Sequence, residues 1–284
     1  MWKNIFKKKE DKIPAEQKQK QNNQVELQNI LTEARKIIEI SDPDFTTGLH
    51  PIFTFIKQFT DYLTSEVALS SYSDNRRSST EIIMKFEKLL RYNYTFSEDI
   101  KNIYLYVQPE EEDIYKRMKN YKLYNGDIEI DLFQSPSILN PWRYKGHKFE
   151  KTYIEGITGA ILGIETEENH FYSYENGNIH YNLNNVYLYP LGLFYCNGGN
   201  HSQYSAKLKG KGITRVRHII NLENLFQKVS FDGNVFSYSS PDCSNTEISD
   251  RVEFYIGTLF EIGRIISESN HKIIPENIEK AIIS

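Results

Sequence analysis

Cysteine is almost absent: Cys196 and Cys243 are the only two in 284 residues. Two thiols cannot make a disulfide scaffold, and the reading is of a chain kept in a reducing cytoplasm. Long apolar runs are missing too. None reaches the ~20 residues that span a bilayer, and the N-terminal stretch has no signal-peptide apolar core. No transmembrane segment is expected. Nor does charge of one sign dominate. Lys and Arg number 34 against 38 Asp and Glu, a net −4, which excludes electrostatic nucleic-acid binding by the whole molecule. Such binding would need a local patch. No repeat period runs along the chain. Among Cys196, His201, His170, His180, His218 and Cys243 no pair has zinc-finger or HExxH spacing, so no metal site is expected. Ser202 stands outside a G-x-S-x-G elbow, which argues against a hydrolase triad.

What is present is aromatic. Twenty Tyr and 16 Phe supply core area that a 39% hydrophobic content would not provide through aliphatics alone. The length suits one large domain or two smaller ones. Residues 1–22 are Lys- and Gln-rich and read as a solvated, mobile tail. Within it, Trp2, Ile5 and Phe6 beside Lys3 and Lys7 to Lys9 would also suit an anionic membrane surface. Residues 24–40 carry Leu27, Ile30, Leu31, Ala34, Ile37 and Ile38 at helical spacing, and Asp42-Pro43-Asp44 ends that helix. Pro51 opens a second helix. A third is expected from Ser78 or Ser79, a fourth over 97–107 and a fifth from the acidic run at Glu110.

Near Asn125-Gly126 the pattern changes. Asp127–Phe133 alternates as a half-buried strand does. Asn140-Pro141 marks a turn. Residues 148–162 are read as a helix, weakened by Gly156 and Gly159, and 169–185 as a loop or hairpin. Gly210–His218 and Val229–Tyr238 read as strands, with Asp232-Gly233 as a turn signal. Val252–Ser267 is a helix with Asp250 as its cap, Phe260 on its apolar stripe, and Glu261 paired with Arg264. A short helix follows Pro275.

The chain is organised around Val186–Ala206. An apolar and aromatic run, Val186 to Tyr195, leads through Asn197-Gly198-Gly199-Asn200 into His201-Ser202-Gln203-Tyr204, which can start a helix. The two glycines permit positive φ and close approach of a ligand to the backbone. A helix beginning near Asn200 or Ser202 would aim free N–H groups at that space, which suits an anion. His201 would stand at its mouth. Cys196 is expected to be buried in the apolar run.

The order Asn140-Pro141-Trp142, Tyr189-Pro190-Leu191-Gly192, Gly198-Gly199-Asn200-His201-Ser202 and Phe260-Glu261-Ile262-Gly263-Arg264 resembles a bacterial domain of unknown function, number 6710, over nearly the whole chain. A more distant likeness carries more chemistry. Asp127–Phe133 followed by Asn140-Pro141-Trp142-Arg143 is similar to the first box of the ParB and sulfiredoxin superfamily, and Gly199-Asn200-His201-Ser202 to its second, phosphate-binding box. The likeness implies an α+β fold: a helical region over 23–122 against a ParB-like mixed domain over 125–270, with 271–284 as a terminal helix or tail. It implies a nucleotide or other phosphate ligand, a nucleoside triphosphate with magnesium, held by Gly198, Gly199, Asn200, His201, Ser202, Asn140, Trp142 and Arg143. Its setting would be bacterial (phage) defence or DNA-linked regulation. Ser202 stands where that superfamily usually carries Arg. A hydroxyl bonds a phosphate without bringing charge, so Arg143, Lys207, Lys209, Arg215 or Arg217 would have to supply it. The rival readings are a nuclease or nucleotide-processing enzyme with His201 as catalytic base, and a module whose aromatic surface binds a partner protein.

Overall fold

The computed structural model describes residues 14–42, 48–70, 82, 123–139, 147–149, 152–154, 172–175, 178–181, 184–198, 200–208, 210, 213–239 and 244–283. The first helix, α1 (Ala15–Ile40), buries Asn23, Leu27, Leu31, Ala34 and Ile38, one stripe at steps of three and four. It begins well before the expected start at residue 24, so residues 15–22 of the expected tail are helix instead. The apolar pattern is weak there, but polar partners replace it. Lys20 pairs with Glu16 one turn back and with Glu247 far along the chain, and Gln19 donates to Asn23.

The second helix, α2 (Pro51–Ser70), buries Ile52, Phe53, Ile56, Leu63 and Val67. His50 joins the two helices. Its Nδ1 accepts from the Ile52 amide at 3.1 Å, and its Nε2 lies 2.9 Å from the Ser41 carbonyl and donates to it. The ring therefore serves one of the unpaired amides at the start of α2 as a cap would. The expected third to fifth helices lie outside the described residues, apart from a buried, helical Ile82.

The strands in chain order are β1 (Leu123–Asp131), β2 (Ser137–Ile138), β3 (His147–Phe149), β4 (Thr152–Ile154), β5 (Tyr172–Glu175), β6 (Asn178–Tyr181), β7 (Asn184–Tyr189), β8 (Leu193–Gly198), β9 (Ile213–Asn221), β10 (Val229–Phe231), β11 (Val235–Tyr238) and β12 (Thr246–Glu247). Five of them form one mixed sheet in the order β1-β9-β7-β8-β2. β9 runs antiparallel to β1 and parallel to β7, β7 antiparallel to β8, and β8 parallel to β2. β10, β11 and β12 form a second, three-stranded sheet.

Three expectations change. Asn125 and Gly126 lie inside β1, at a register shift against β9, rather than ahead of the strand. The run Val186 to Tyr195 is a hairpin, not one strand, because Pro190-Leu191-Gly192 turns it. Gly192 has φ +68° there, and a Cβ on it would sit 2.0 Å from the Phe53 ring. The Tyr189–Pro190 peptide is cis. Within 148–162, the described residues pair as β3 with β4 instead of coiling into a helix. Phe149, Thr152, Tyr153 and Ile154 are aromatic or β-branched and favour a strand.

The remaining helices are α3 (Asn200–Leu208), α4 (Glu223–Phe226), α5 (Arg251–Glu268) and α6 (Glu276–Ile283). The Asp250 side chain accepts from the Glu253 amide at the start of α5. Helix α5 packs against α1, α2 and β10, and Gly257 allows the Phe231 ring to lie against its backbone. Glu261 and Arg264 pair at 2.7 Å, and Arg264 also donates to the Phe226 and Val229 carbonyls. The fold is α+β, and no described helix is long and apolar enough to cross a membrane.

The sheet edge at β2 is closed by side chains. Thr60 Oγ1 accepts from the Ser137 amide, and Thr64 Oγ1 accepts from the Leu139 amide and donates to the Ser137 carbonyl, at 3.3–3.4 Å. Two threonines one helical turn apart thus take the place of a neighbouring strand.

Candidate functional site

Strand β8 ends at Gly198 and α3 opens at Asn200. His201 and Ser202 therefore sit in the first turn of α3. Gly198, Asn200, His201 and Ser202 are brought together at one strand end and one helix start. Gly199, Asn140, Trp142 and Arg143 lie outside the described residues.

The sequence reading missed what holds α3 in place. Gln203 on α3, Asn185 on β7, Cys196 on β8 and Thr214 on β9 form a buried polar cluster. Asn185 and Gln203 exchange amide bonds, each at 3.1 Å. Asn185 Nδ2 also donates to Thr214 Oγ1 at 2.7 Å, and Gln203 Nε2 to the Cys196 sulfur at 2.7 Å. Thr214 Oγ1 donates in turn to Gln203 Oε1. A satisfied network of this kind fixes one arrangement, since any shift would strand buried polar atoms. One helix is thereby pinned to three strands. The sequence signals were Cys196, expected to be buried, and Thr214, which shares the alternation of buried Val216.

A second cluster lies toward the other end of α3. Lys207, with its side chain 10% exposed, sits 2.8 Å from Asp61 and donates to Ser137 Oγ at 2.7 Å. Lys57 meets the same carboxylate at 2.6 Å and lies over the Phe133 ring. Burial pushes the Lys207 ammonium below the usual lysine range; Asp61 opposes this and Lys57 adds to it. Among the described residues two cations share this one carboxylate. Lys207 is thus committed to the fold and is not the spare cation that a phosphate at Ser202 would use.

Among the described residues no set of three or more His, Cys, Asp or Glu gathers as metal ligands would. Chemically, the start of α3 offers backbone amides on a helix held rigidly from behind. Comparison with curated proteins and with solved structures gives no match. The model of the Family of unknown function (DUF6710) matches residues 9–273, and the chain belongs to that family.

Proposed function

We propose that the start of α3 binds a phosphate-bearing ligand, with a nucleotide as the first candidate. The observation that carries this reading is the passage from strand end at Gly198 to helix start at Asn200, on a helix pinned by the Asn185–Gln203–Thr214 cluster. The first turn of any helix leaves amides without partners, and their dipoles favour an anion. A rigid mounting means those amides need no reordering when the ligand arrives. With Lys207 engaged by Asp61, the countercharge falls to Arg143, Lys209, Arg215 or Arg217. The likeness to the ParB and sulfiredoxin superfamily makes CTP and ATP the first ligands to try.

The test is a thermal-shift panel of ATP, CTP, GTP and UTP with and without magnesium. A ligand that binds only the folded state raises the melting temperature by mass action. Gly199→Val should abolish the shift, and His201→Ala should weaken it without unfolding the protein. No shift with any nucleotide at millimolar concentration would remove the nucleotide reading. Product formation that His201→Ala abolishes would instead mark the site as catalytic.

A further inference from the structure

A cavity of about 310 Å³ opens between the segment before α2, the end of β1 with its following turn, the β7–β8 hairpin and the start of α6. It lies within the size range of small-molecule sites, roughly 300–1,000 Å³. None of its described lining residues belongs to α3. Phe53, Ile278 and Pro136 give it apolar walls, and Gly192 keeps its floor close to the Phe53 ring.

Its polar groups are of two kinds. Ser135 and Tyr187 are buried, 5% and 4% exposed, and line the cavity. Neither hydroxyl has a hydrogen-bond partner among the described residues. Both oxygens keep some exposure, so the cavity they line is where water or a guest can bond them. Burial also holds the Tyr187 phenol far above its ordinary range, which keeps its proton available for donation. The second kind is anionic. Glu129 and Asp131 are two apart on β1 and so share a face, and both are exposed at the cavity. The Asp131 carboxylate is held in place by the Gln134 amide, 2.7 Å from Oδ1. Glu129 already has an interaction of its own, which makes Asp131 the principal countercharge and Glu129 the second.

We propose that this cavity binds a small organic cation, an amine or guanidinium on an apolar body, with Asp131 and Glu129 meeting its charge and Ser135 and Tyr187 its polar atoms. Charge-assisted bonds to carboxylates are the strong ones, and apolar walls would take the body of the guest. A phosphate ligand is disfavoured here by the same two carboxylates, so this site and the start of α3 select opposite charges.

The experiment is calorimetric titration of the full chain with tyramine, phenethylamine, agmatine and the uncharged 4-ethylphenol. At least one amine or guanidine should bind, and 4-ethylphenol should bind at least about tenfold more weakly than tyramine, the equivalent of losing one modest charge contact. Asp131→Asn keeps the acceptor for the Gln134 amide and so preserves the turn; it should erase the preference for the charged probe. Tyr187→Phe should reduce tyramine affinity while sparing that preference. The proposal is overturned if no cation binds at millimolar concentration. It is equally overturned if 4-ethylphenol matches tyramine, or if folded Asp131→Asn discriminates as the wild type does. Nucleotide binding at α3 is read in a separate panel, so either site can fail alone.

Discussion

His50 sits buried between two helices with both ring nitrogens engaged, one accepting and one donating. Only the neutral ring can do this. Burial lowers its pKa from 6.5, the Ser41 carbonyl bond opposes this, His271 lowers it further and Asp42 opposes. The sign follows. Above pH 6.5 the ring is neutral folded or unfolded, and its contribution is complete. As pH falls below 6.5 the unfolded chain takes up a proton that the folded ring resists, so stability declines down to the depressed folded pKa. Urea denaturation at pH 7.5, 6.5 and 5.5 should show that decline, and His50→Gln should flatten this part of it. At Gly192, Ala would meet positive φ, costing roughly 1–3 kcal/mol, and would overlap the Phe53 ring as well. Phe260, buried and edge-on to Phe226 at 5.0 Å, should cost about 3–5 kcal/mol as Phe260→Ala, measured by chemical denaturation. A change within about 0.5 kcal/mol would place that side chain at the surface instead.

Among the elements, the β2 edge is the most exposed to test. Thr60→Val and Thr64→Val keep the shape and remove the hydroxyls that close it. At bond lengths of 3.3–3.4 Å, the loss should be about 1 kcal/mol per threonine, read as a lower denaturation midpoint with unchanged slope. An unchanged midpoint in the double variant would mean that water serves the edge as well. What could be read in advance follows the same division. α2, α5 with its Asp250 cap, the Glu261–Arg264 pair and the β10–β11 turn at Asp232-Gly233 were legible, because periodicity and caps are local signals. The helix start at Asn200 was legible for the same reason. Neither the β7–β8 hairpin nor the early start of α1 was read correctly. The first needed Phe53 to show that Gly192 turns the chain, and the second needed Glu247, far along the chain, to explain Lys20. The Gln203 cluster was hidden for a like reason, since nothing local separates a buried glutamine from a solvated one.

Across the whole molecule, α1 is tied to the C-terminal half at three levels. Lys20 meets Glu247, Asn23 donates to Asn234 Oδ1 at 3.0 Å, and Glu26 takes a two-pronged bond from Arg251. Beneath them the Leu27–Ile38 stripe packs against α5 and α2. Removing residues 1–42 should therefore bare the apolar face of α5, seen as binding of a hydrophobic dye and loss of a single cooperative transition. A truncated chain that stays monomeric, dye-silent and cooperative would show the remainder to be complete without α1. The same arrangement bears on how the chain is made. Glu26 and Arg251 are 225 residues apart. At roughly 5–20 residues per second, the ribosome leaves α1 waiting on the order of ten seconds to most of a minute before its partner helix exists. During that interval the part of its apolar stripe that α5 will cover has only α2 beside it. The first described helix therefore waits for the last long one before its packing is complete.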